Sequence, residues 1–87
     1  MSYGEEIADE YYAYEGLIHS KIANGIWTMR DGSEINIREM SRKHLRNTIA
    51  MLKRKEEMTI FDEEWVAVME RELNFREYID RIVKGEL

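Results

Sequence analysis

The chain has no cysteine and no proline among its 87 residues, and only five glycines. Without cysteine there is no disulfide, no thiolate nucleophile and no zinc site of the finger or ribbon kind, so the cytoplasm is the expected compartment. No apolar run approaches the roughly eighteen residues of a membrane span. The opening MSYGEEIADE lacks the basic and apolar regions of a signal peptide. The expectation is a soluble, unexported chain with no membrane partner. Catalytic patterns are missing as well: there is no HExxH, no P-loop, no GxGxxG, no serine elbow and no DxD. With two histidines as the only neutral-pH titrating side chains, the reading is a protein without catalytic residues, metal or cofactor.

What is present belongs to a foldable chain. Apolar residues make up 44% and charged residues 36%, and two Trp, five Tyr and two Phe supply aromatic bulk. At this length one domain spanning 1–87 is expected, burying about 60–65% of the unfolded chain's surface.

The net charge of −5 conceals alternating blocks. Residues 1–25 carry five acids and one lysine; residues 56–87 carry ten acids and four bases. Between them, residues 38–55 hold Arg38, Arg42, Lys43, Arg46, Lys53, Arg54 and Lys55 against Glu39 alone. A basic middle with acidic flanks suits internal neutralisation, within one subunit or between two.

Periodicity orders the elements. Ser2 and Glu5 form a capping-box pattern, and Ile7, Tyr11, Tyr14, Ile18 and Ile22 recur at helical spacing until Asn24-Gly25, which predicts a first helix over about 3–23. Tyr3 and Tyr12 fall off that stripe and are left for another contact. Asp31-Gly32 sits between Ile26-Trp27-Thr28-Met29 and Glu34-Ile35-Asn36-Ile37, the pattern of a two-stranded hairpin whose turn takes the positive φ angles. Apolar groups on both faces of so small a ribbon require cover on more than one side.

Ser41 then caps a basic helix over about 41–55. Leu45, Ile49 and Leu52 form its core stripe, with Met40, Thr48 and Met51 beside it. Thr59 and Asp62 open a third helical region over about 60–84. That region carries two stripes: Trp65, Met69 and Leu73 first, then Phe75, Tyr78, Ile79 and Ile82, with the change of face near Asn74. Either the helix breaks there, or one helix buries its halves against different neighbours, the second in another subunit. The fold class is therefore α+β: an N-terminal helix, a two-stranded antiparallel hairpin, a basic central helix and a long or broken acidic C-terminal helix, assembled as a homo-oligomer.

Residues 27–52 resemble a group of small phage and prophage proteins. The shared pattern is W-T-x-x-D-G-x-x-I-x-I-x-x-M-x-x-x-H-L-x-N-T-I-x-x-L, carried here by Trp27-Thr28, Asp31-Gly32, Ile35, Ile37, Met40, His44-Leu45, Asn47-Thr48-Ile49 and Leu52. The resemblance covers about a third of the chain. It implies a phage origin, the cytoplasm of an infected or lysogenic bacterial host and a hairpin-helix unit, and it transfers no catalytic residue.

The candidate binding residues are Trp27, Arg42, Lys43, His44, Arg46, Asn47 and Thr48. Arginines and a helix N-terminus attract an anion, an aromatic face stacks a base, and amide and hydroxyl groups orient it. A nucleotide-type ligand fits better than a nucleic acid, because the acidic flanks would repel a long polyanion. The alternative for His44, Asn47 and Thr48 is structural: they fasten the hairpin by bonding its carbonyls. His19 reads as a surface or interface histidine, with no metal-ligand partner at helical spacing.

In a phage setting the leading expectation is a non-catalytic counter-defence protein that sequesters an anionic, nucleotide-type signal at a basic inter-subunit site. The alternative is a protein inhibitor of a host defence or nucleic-acid enzyme, acting through acidic helix surfaces that include Glu63, Glu64, Glu70 and Glu77. A third possibility is a regulatory or scaffolding part of the phage itself.

Overall fold

The computed structural model describes residues 14–85. The parts of the first helix that rest on Ser2, Tyr3, Glu5, Ile7, Tyr11 and Tyr12 lie outside that range. Within it the order is α1 (14–23), β1 (Ile26–Thr28), β2 (Glu34–Asn36), a 3-10 helix (Ile37–Glu39), α2 (Arg42–Lys53) and α3 (Ile60–Lys84). The α+β class holds, with helix dominating. The third helical region is a single helix of 25 residues.

Local chemistry sets each boundary. Gly25, at φ 71°, ends α1 in the left-handed conformation, and its carbonyl accepts the Ile37 N–H at 2.9 Å. A Cβ at that glycine would stand 3.0 Å from Ile37 Cγ1, so backbone freedom and close approach both require glycine there. The strands pair antiparallel with Trp27 opposite Ile35. Their connection differs from the simple Asp-Gly turn. Gly32 N–H donates to Met29 O and Met29 N–H donates to Ser33 O, so Arg30-Asp31-Gly32 form a three-residue loop. Only Gly32 has positive φ in it. Asp31 instead accepts from the Ser33 hydroxyl and N–H, and these bonds hold its carboxyl below its ordinary pKa.

Ser41 accepts the His44 N–H to cap α2. Thr59 and Asp62 exchange both bonds of a capping box at the start of α3. Burial of Asp62 works against its charge, but the Thr59 N–H, the Lys55 ammonium and the Thr59 hydroxyl outweigh that cost and depress its pKa.

The core joins Ile37, Met40, Leu45, Ile49, Leu52, Val66 and Met69. Leu45 and Met69 are fully enclosed. The expected α2 stripe of Leu45, Ile49 and Leu52 is buried, as are Met40 and Thr48, whereas Met51 is exposed. On α1, Ile22 is buried but Tyr14 is exposed and lines a groove with Leu17, Ile18 and Trp65.

α3 presents two faces. Pairs of Arg42 with Asp80, Lys53 with Glu70 and Lys55 with Asp62 show α2 running antiparallel along one face over most of its length. On the other face His19 sits beside Phe61 and Glu64, while Ala23 and Gly25 share a cleft with Val68 and Phe75. α1 therefore runs in the same sense as α3 and ends short of its C-terminal half.

Candidate functional site

The single chain brings together three of the seven residues singled out in the sequence. Trp27, His44 and Thr48 line a cleft of about 640 Å³ between the hairpin loop and α2, with Thr28, Met29, Arg30, Asp31 and Met51 completing its walls. Arg42, Lys43, Arg46 and Asn47 are exposed and lie outside that lining. The reason is helical phase: His44, Thr48 and Met51 share one face of α2, and the cations fall on others. Arg42 is further committed to Asp80, its Nη2 donating at 2.6 Å. Lys43 and Arg46 have no acidic partner among the described residues.

Within the cleft, Trp27 is half-buried and its ring meets Trp65 edge-on. The Thr48 hydroxyl donates to the His44 carbonyl at 2.9 Å, one turn back in its own helix. The expected fastening of the hairpin by His44, Asn47 and Thr48 is therefore corrected. No bond from their side chains to a hairpin carbonyl is found among the described residues.

Arg76 of α3 performs a comparable fastening one step further along the chain. Its Nη2 donates to Ile37 O at 3.1 Å and Arg38 O at 3.0 Å, and its Nε donates to Glu72 Oε1 at 3.0 Å. This guanidinium ties the 3-10 helix after β2 to α3. Sequence reasoning missed it, since the Glu72–Arg76 spacing reads as an ordinary surface pair.

His19 likewise has a specific place. Its Nδ1 lies 2.8 Å from Glu64 Oε1, its ring centroid is 5.0 Å from that of Phe61, and Glu15 stands 3.8 Å from Nε2. The hydrogen bond to Glu64 raises its pKa; partial desolvation opposes this, and the charges of Glu64 and Glu15 reinforce it.

The C-terminal half of α3 carries a run of exposed apolar side chains among the described residues. Phe75, Tyr78, Ile79 and Ile82 are 58%, 52%, 39% and 47% exposed. They continue the face that packs on α1 through Phe61 and Val68, past the point where α1 ends.

Among the described residues no group of three or more His, Cys, Asp or Glu is placed to hold a metal ion, and no helix is long and apolar enough to cross a membrane. No known protein family, curated protein or solved structure matches the chain, so geometry carries the functional argument.

Proposed function

We propose that this chain is a non-catalytic protein-binding module that works as a homo-oligomer joined through Phe75, Tyr78, Ile79 and Ile82. The single observation behind this reading is that the α1-docking face of α3 runs on for two more turns with no described segment covering it. Together the four side chains expose on the order of 400 Å², the size of patch that marks interaction surfaces.

Two features favour a second copy of the chain as the occupant. The i, i+3, i+4, i+7 spacing is the pattern by which like helices interdigitate. The rim is neutralised within the chain, Arg76 on Glu72, Arg81 on Glu77 and Asp80 on Arg42, so two copies approach without strong like-charge repulsion despite their net charge of −5. An area this small suits a reversible dimer.

Charge supports the other readings less. Of the acids proposed to face a host enzyme, Glu64, Glu70 and Glu77 are engaged by His19, Lys53 and Arg81. The basic strip proposed for a nucleotide has Arg42 drawn to Asp80. The phage-like pattern of residues 27–52 supports a counter-defence setting, in which the assembled module occupies a host protein rather than turning over a substrate.

The test is sedimentation velocity of the chain and of Ile82→Lys. The parent is expected to show a concentration-dependent mass rising toward twice its 10.5 kDa, and the variant to remain at the single-chain mass with the melt the parent shows at dilutions where it is single. Equal masses for the two would remove the proposed seam.

A further inference from the structure

A second cleft of about 640 Å³ opens between the turn that ends α1, the 3-10 helix and the middle of α3, a volume within the range of small-molecule sites. Arg38 lines it from the 3-10 helix and Arg71 from α3. Six other cations are neutralised by acids of the same chain: Lys21, Arg42, Lys53, Lys55, Arg76 and Arg81. Arg38 and Arg71, like Arg30, Lys43, Arg46, Arg54 and Lys84, have no carboxylate partner among the described residues; what sets these two apart is that they line the same cleft.

The surroundings suit an anion. The one carboxylate in the lining, Glu72, already accepts from Arg76. The same Arg76 clamps the Ile37 and Arg38 carbonyls onto α3, which fixes the backbone carrying Arg38 relative to the helix carrying Arg71. Asn36 accepts the Arg38 N–H through Oδ1, and its Nδ2 reaches Asn24 O only at 3.4 Å, so the amide retains donor capacity toward a ligand. Phe75 adds an exposed aromatic wall.

We propose that this cleft binds a phosphate monoester carried on a flat aromatic group, the nucleoside monophosphate class. Arg38 and Arg71 take the phosphate as charge-assisted, fork-shaped donors, and Phe75 stacks the base. This site is distinct from the α2 strip of Arg42, Lys43 and Arg46; it shares Phe75 with the proposed seam, so base stacking and self-association compete for that ring.

Calorimetric titration with adenosine 5′-monophosphate, inorganic phosphate and adenosine tests the assignment. The monophosphate is expected to bind saturably, phosphate more weakly, and adenosine weakest. Arg38→Gln and Arg71→Gln are each expected to weaken monophosphate binding at least about tenfold, the effect of losing one charge-assisted bond. Both side chains are exposed, so the variants should melt as the parent does. Phe75→Leu should weaken the monophosphate and leave phosphate unchanged. Ile82→Lys, outside the cleft lining, should bind at least as tightly as the parent, since a chain that stays single leaves Phe75 open, and this separates the proposal from the oligomer. Absence of saturation by the monophosphate at millimolar concentration would overturn it. Equal affinity in the Arg38→Gln/Arg71→Gln double variant, adenosine binding as tightly as its monophosphate, or loss of binding in Ile82→Lys would each do the same.

Discussion

Trp27 of β1 meets Trp65 of α3 edge to face, with ring centroids 5.0 Å apart and planes at 90°. This contact places one large ring of the two-stranded ribbon against the long helix. Each single Trp→Ala change is expected to destabilise the fold by about 3 kcal/mol, the lower end for losing a large aromatic, because both rings are only half-buried. Chemical denaturation of the two singles and the double should return a coupling of about 0.5–1.5 kcal/mol. A coupling near zero would mean the rings act separately.

Arg76 should matter more than its place on a charged helix suggests. Its side chain is 18% exposed and holds two carbonyls and Glu72 together. Arg76→Ala is expected to cost about 2–3 kcal/mol, since the charge-assisted bonds to Glu72 and to both carbonyls are lost, and Ile37 O keeps only the Met40 N–H. Arg76→Lys should recover only part of this, because an ammonium lacks the planar fork. Urea titration reads both, and a stability within about 0.5 kcal/mol of the parent for Arg76→Ala would contradict the fastening role.

Docking of α1 should depend on pH through His19. Its folded pKa is raised above the ordinary 6.5, chiefly by the hydrogen bond to Glu64. The imidazolium therefore stabilises the folded state fully below that ordinary value, and the contribution fades as pH rises through the raised one. Amide exchange in α1, corrected for intrinsic rates, should become faster relative to α2 as pH rises from 6 to 8. Glu64→Gln should flatten this trend, and an identical pH response in that variant would exclude the pair as its cause.

Arg42→Gln with Arg46→Gln is expected to shift stability by no more than about 1 kcal/mol, because the Arg42–Asp80 pair is exposed and screened. Monophosphate binding should be unchanged. A loss of binding in this double variant would return the anion site to α2.

The elements legible in the sequence were those written in local chemistry. Ser41, Thr59 and Gly25 mark helix ends through bonds to near neighbours, and Leu45, Ile49 and Leu52 repeat at the helical period. The hairpin was legible, but its loop length was not, because Asp-Gly serves both a two-residue turn and the end of a three-residue loop. The site was less legible still. Spacing put Arg42, Lys43 and Arg46 in one strip, yet helical phase turns them away from the cleft that holds His44 and Thr48. Arg38 and Arg71 are 33 positions apart and line one cleft because Arg76 and the buried Ile37 side chain dock the 3-10 helix on α3. The break in stripe at Asn74 was visible in the sequence. What was not visible is tertiary: the second stripe continues the face on which α1 packs and is left exposed past the end of α1.

A single cysteine at the centre of the seam tests the central claim most directly, since the chain has none of its own. Tyr78→Cys, oxidised at a concentration where the parent self-associates, should give a covalent dimer, because antiparallel pairing centred on Tyr78 and Ile79 brings the two cysteines within disulfide reach. Ala50→Cys, on the exposed side of α2, is the control and should remain single. A dimer from Tyr78→Cys that disappears when Ile82→Lys is added is the predicted result; no enrichment of cross-linked Tyr78→Cys over Ala50→Cys would contradict pairing through α3.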